Sequence, residues 1–278
     1  MSRITTPWRR SLLVKLVVMA GVVLLLQACG GGGKKTPPPP AITASTGYYD
    51  NVSTLGGANV FLDSGNMTSL HIADLQAMVH GNTITLVSVA NNLAYYATLT
   101  SLSGNNYTAN VAIYQNNVPY GNTTLSGTLV AGTSITGTFA TTGTGLGRGT
   151  FSLGYSSANT PVAAISRILR DDFTTPSSWV NSTPDTSLES FQINSAGVLY
   201  QTGSALDGLF ARCVRSGTVA PISNTALYQV SITMSACTAL EFNGTYTGLA
   251  TSRTMTNLDD RLVVTVTSGT RILYGELN

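Results

Sequence analysis

Asn92–Tyr114 reads NLAYYATLTSLSGNNYTANVAIY. Two runs rich in apolar, aromatic and β-branched residues flank Gly104-Asn105-Asn106, which is turn chemistry, so the stretch predicts two antiparallel strands joined by a tight loop. The same cadence spreads outward from it. Turn signals recur at Gly65-Asn66, Gly81-Asn82, Asn91-Asn92, Asn116-Asn117, Gly121-Asn122, Gly132 and Gly143–Gly149. In TFSLGY (150–155), Phe151, Leu153 and Tyr155 alternate onto one face. The reading is an antiparallel meander. Ala94, Ala97, Ala109 and Ala112 stand among the large residues, which predicts two closely packed sheets with a filled interior.

Past Asn159-Thr160-Pro161 the texture changes. PVAAISRIL places Val162, Ile165 and Leu169 at helical spacing behind a proline suited to a first turn, which predicts a short connecting helix. Strands then resume over 188–193, 198–201, 209–216, 227–234, 244–251, 261–267 and 271–277. The expected fold class is all-β: two antiparallel domains, each a β-sandwich or β-barrel, over 47–157 and 158–278.

The first residues carry Arg3, Arg9, Arg10 and Lys15, followed by the apolar run Leu16–Leu26. That pattern predicts a secretory signal peptide over 1–28. Leu26-Gln27-Ala28-Cys29 closes it with one cysteine, and Gly30 to Pro40 is a glycine- and proline-rich run. A thiol at this junction can hold acyl chains, each buried methylene contributing about 0.8 kcal/mol to membrane affinity. Residues 29–46 are expected to be a tether, flexible at its glycines and stiffer at Pro37–Pro40.

Composition narrows the functions. Of the 14 Lys and Arg, four lie in the first 28 residues, leaving ten against 12 Asp and Glu in the remaining chain. That nearly neutral balance offers no basic stripe for nucleic acid. Charged residues are 9% of the chain, against about a quarter in average proteins. Gly, Thr, Ser and Asn take their place, as expected for an exported strand protein with many turns.

The remaining candidate sites are few. Cys213 and Cys237 form an even pair in an exported chain, which predicts a disulfide. His71 and His80 are the only histidines and Asp74 the only acid between them. A zinc site needs three or four ligands and a nucleophilic site needs an orienting acid, so structural roles are expected, with no metal, cofactor or catalytic residue. Asp171-Asp172 and Asp259-Asp260 read as solvated loop acids. GTGLGRG (143–149) lacks the strand-to-helix setting of a dinucleotide loop and reads as a hairpin. Tyrosine offers large amphipathic area at low entropic cost, and Tyr95, Tyr96, Tyr107 and Tyr114 are the candidate contact patch.

The LQAC junction, the polar strand-turn meander, and SITMSACTALEFNGTYTGLATS (231–252) closing on ILYGELN (272–278) resemble a group of small gammaproteobacterial envelope lipoproteins. The resemblance implies signal cleavage before a lipidated Cys29 and anchoring to outer-membrane lipid, Gly30 being the kind of residue that follows the cysteine in exported cargo. A looser resemblance is to lipocalin-like barrels, among them surface lipoproteins that bind host proteins, with Gly47-Tyr48-Tyr49 standing where lipocalins carry Gly-x-Trp. The function expected is non-enzymatic: binding an envelope or extracellular protein, or a structural role. The alternative is a carrier of a small apolar ligand or lipid inside a barrel.

Overall fold

The computed structural model describes residues 42–50, 59–62, 69–72, 74–140, 148–156, 163–168, 179–180, 190–201, 213–253 and 261–277. Ten strands make the first sheet: β1 (Ala44–Asp50), β2 (Asn59–Leu62), β3 (Ser69–Ile72), β4 (Gln76–Gly81), β5 (Thr83–Ser88), β6 (Leu93–Ser103), β7 (Asn106–Gln115), β8 (Val118–Val130), β9 (Ser134–Phe139) and β10 (Gly149–Tyr155). From β4 to β10 each strand pairs antiparallel with the next. β1 pairs with both β4 and β10, opposing Tyr49 to Tyr155 and Asp50 to Gly154, so eight strands close into a barrel. The hairpin β2–β3 hangs from β10 through Val60 and Thr150.

The turns follow their residues. Asn116 and Asn117 link β7 to β8 with φ of 52° and 64°, the two left-handed residues that a type I′ hairpin requires and that asparagine tolerates. Gly81, Gly104 and Gly132 also have positive φ at strand ends. Gly121-Asn122 is no turn: both lie within β8, where Ile113 opposes Gly121 and Tyr114 opposes Pro119, leaving Tyr120 as the extra residue of a bulge. A bulge and a turn share the same local chemistry, and only the partner strand distinguishes them.

Inside the barrel the period of two puts Ala77 and Val79, Ile84 and Leu86, Tyr95 and Ala97, Val111 and Ile113, and Phe151 and Leu153 into one apolar cluster. The Tyr95 and Phe139 rings lie 5.1 Å apart and Phe139 and Phe151 5.8 Å apart. Closure needs strong coiling, and glycine within a strand allows it. At Gly127 a Cβ would run into the Thr136 carbonyl of the neighbouring strand, well inside van der Waals contact. Tyr107 opposes this bare position and donates its phenol to that carbonyl at 2.9 Å.

The second sheet is a curled meander of β11 (Trp179–Val180), β12 (Ser190–Ile193), β13 (Val198–Gln201), β14 (Val214–Pro221), β15 (Leu227–Ser235), β16 (Gly244–Arg253), β17 (Arg261–Thr267) and β18 (Ile272–Leu277), in sequence order. Here β14 reaches Pro221, five residues past its expected end. The short helix α1 (Ile165–Ile168) packs Ile165 and Ile168 into the cluster on one face of this sheet; Val162 and Leu169 lie outside the described residues. Gly217 and Gly248 repeat the coiling device, each facing a backbone carbonyl, of Ser231 and Thr265.

Strand β17 explains how the two sheets meet. Leu262, Val264 and Val266 enter the cluster on the helix side, while Val263 joins a different one. That joint cluster combines Leu227, Leu249, Val263, Ile272 and Tyr274 with the barrel's outward residues Tyr48, Met78, Val87, Ala94 and Tyr114. A strand buried on both faces reads as an unbroken apolar run, as LVV does here. Strand β1 begins at Ala44, inside the stretch expected as tether, and the two halves share a buried seam beside the connecting helix. The expected close packing of two sheets through alanines is also divided: Ala97 and Ala109 line the barrel interior, Ala94 sits in the seam and Ala112 packs beside it.

Candidate functional site

Adjacent strand residues face opposite ways, and this divides the tyrosines. Tyr95 and Tyr107 are buried in the barrel interior, where burial, joined at Tyr95 by Tyr120, pushes both phenols above their ordinary value. Tyr49, also interior, is pushed up to about 12, first by burial and second by neighbouring Tyr155. Tyr114 points outward into the seam, its hydroxyl donating to the Gly269 carbonyl at 3.3 Å. Tyr96 alone of the candidate four is half-exposed. The four do not form one contact patch.

Around Tyr96 the barrel's outer wall holds a groove of about 580 Å³, lined by Tyr96 and Thr98 of β6, Val111 and the polar or small residues beside it on β7, and Asn122 to Thr124 of β8. Register builds it. Thr98, Asn110 and Thr124 form one rung across the three strands, and Tyr96, Ala112 and Asn122 the next. Because the middle residue of the second rung is alanine, the wall dips between the Tyr96 ring and the Asn122 amide. Neighbouring strands are about 4.8 Å apart, so these flanks stand roughly 10 Å from each other. Among the described residues no charged side chain lines the groove. The side chains of Thr98, Asn110, Asn122 and Thr124 make no hydrogen bond among the described residues.

On its other side Tyr96 borders a crevice of about 150 Å³ between the barrel and the second sheet, lined also by His80, Thr83, Thr85, Gln229 and Leu249. His80 Nδ1 lies 2.9 Å from the Thr46 hydroxyl. The nearby acid, Asp74, accepts from the Ser88 hydroxyl, from the Ala90 amide at 2.8 Å and from Asn91, so it holds the β5–β6 turn. Among the described residues no three His, Cys, Asp or Glu gather at one point.

Cys213 and Cys237 are bonded as a disulfide and buried on the helix side of the second sheet. They flank the paired residues Val214 and Ser235. The loop beyond is braced by Asn243, whose side chain accepts from the Cys237 amide at 3.0 Å, and by Arg271 over the Phe242 ring. The glycine-rich run ends in Gly149, which opposes Phe139 across β9 and β10 as a hairpin requires; 141–147, Cys29, Asp171-Asp172 and Asp259-Asp260 lie outside the described residues.

Sequence reading missed Thr98, Asn110 and Asn122 as site residues, and took Ala112 only as a packing residue. The signal of the first three was present as polar residues alternating with apolar ones on β6 to β8, but the register that assembles them with Ala112 into a hollow is not local. Comparison of the chain with family models, curated proteins and solved structures finds no match. The fold and the groove therefore define a class: a closed antiparallel barrel, joined along one wall to a curled meander, with an uncharged concavity on the outer wall.

Proposed function

We propose that this chain is a non-enzymatic lipoprotein, anchored to outer-membrane lipid through acylated Cys29, that works by contact with another envelope or extracellular protein. The observation that carries the contact reading is the aromatic filling of the barrel: inside it the Phe139 ring packs against both Tyr95 and Phe151. That leaves the outer surface to do the recognising. An eight-stranded barrel has room for side chains or for one small ligand, and closure through β1 and β10 keeps the carrier of an apolar ligand as the second reading.

Cys29→Ala is the test of the anchor. Metabolic labelling with palmitate should be lost and the chain should leave the outer-membrane fraction; retention of label and of flotation refutes the anchor. In-cell crosslinking from the exposed strand face should capture a discrete protein partner. Native mass spectrometry that instead finds lipid bound stoichiometrically within the intact fold transfers the reading to the carrier.

A further inference from the structure

We propose that the groove across β6, β7 and β8 is a binding site for a neutral saccharide chain. Its volume, about 580 Å³, lies within the roughly 300–1,000 Å³ of small-molecule sites. Its chemistry then selects the ligand. No charged residue lines it among the described residues, so an ionic ligand would lose hydration with no counter-charge there to replace it. An acyl chain fits poorly too, because it would bury the Asn110 and Asn122 amides and the Thr98 and Thr124 hydroxyls with no partner, at a cost for each.

An extended peptide usually docks by adding a strand. The three strands here are already paired on both sides, so their backbones offer no edge. Recognition must come from side chains, and those present are amides and hydroxyls that each donate and accept. Hydroxyl groups on a sugar ring do the same.

The aromatic wall completes the match. Tyr96 packs part of its side chain against the joint cluster and presents the rest to the groove. A ring held in this way offers the electron-rich face that aliphatic C–H groups of a pyranose favour, with Asn122 roughly 10 Å across the hollow floored by Ala112. This site stands on the groove alone and does not depend on the protein partner or the lipid anchor.

The full chain, purified in detergent, is titrated by calorimetry with three soluble neutral probes of different linkage: maltohexaose, cellohexaose and chitohexaose. Saturable binding of at least one is expected. Asn110→Ala and Asn122→Ala should each weaken it about 3- to 10-fold, the loss of one hydrogen bond, and Tyr96→Ala by at least as much, while Tyr96→Phe retains the ring and most of the affinity. Asn110 and Asn122 are exposed, so their variants should keep the wild-type circular dichroism and melting temperature, and Tyr96→Phe, which keeps the packed ring, separates the groove from the seam contact of Tyr96. The proposal is overturned when none of the three probes binds saturably, or when binding persists undiminished in the Asn110→Ala/Asn122→Ala double variant.

Discussion

Replacing Gly127 with alanine should weaken the protein, although a glycine-to-alanine change within a strand ordinarily stabilises by about 0.4–1 kcal/mol through the unfolded chain. The new Cβ would press on the Thr136 carbonyl, and a backbone oxygen in a ladder cannot rotate away as a side chain can. Overpacking of this kind costs about 1–3 kcal/mol. The same oxygen accepts the Tyr107 phenol, and losing that bond adds about 1 kcal/mol. The net expectation is destabilisation by about 2–3 kcal/mol, or a fall in melting temperature of roughly 4–12 °C for a chain of this size. Urea denaturation followed by circular dichroism measures it, with Tyr107→Phe as the second arm of a double-mutant cycle. Tyr107→Phe should cost about 1 kcal/mol in the native background and almost nothing beside Gly127→Ala. If Gly127→Ala matches or exceeds wild-type stability, or if Tyr107→Phe costs the same in both backgrounds, the coiling argument at this position fails.

Cys213→Ala should cost about 3.5 kcal/mol on the chain-entropy account of a loop this long, since the two cysteines are 24 residues apart; a loss below 1 kcal/mol in equilibrium unfolding refutes it. Alkaline pH should weaken the fold. A phenol whose folded pKa lies above the unfolded value of 10 favours folding fully below pH 10 and loses that advantage as pH rises to about 12. Denaturant titrations across this range should show stability falling, and Tyr49→Phe should flatten the fall. Tyr49→Phe should also hold or raise stability near neutral pH, because the Tyr49 hydroxyl is buried with no partner among the described residues; a loss above 1 kcal/mol in the same titrations counts against that.

What the sequence makes legible is local. Most strand runs, the hairpin chemistry at Gly104 and Asn116-Asn117, the short helix at Ile165–Ile168 and the disulfide all depend on neighbours or on a single pair of cysteines, and these lie close to where the residues point. What stays hidden depends on distant partners. Nothing near Tyr49 announces that it will oppose Tyr155 and close a barrel. Tyr95 and Tyr96 look equivalent until register sends one ring to the interior and the other to the groove wall. Gly121 reads as a turn because bulges and turns use the same residues. The seam is half-visible: LVV in β17 and AMV (77–79) in β4 are both too apolar for strands with one wet face, but neither run says that Val263 and Met78 will share one cluster.

The strand that closes the barrel is also the first among the described residues, and this would have a mechanical consequence under the proposed anchor. A pull applied to the chain ahead of β1 would enter the barrel at Ala44, where that strand starts. Because β1 pairs with β4 on one side and β10 on the other, the load divides between two seams that would have to yield together. A tug strong enough to strip β1 out would break both pairings at once and open the barrel between β4 and β10, so under the proposed anchor the strand that bears the load would also be the latch of the barrel.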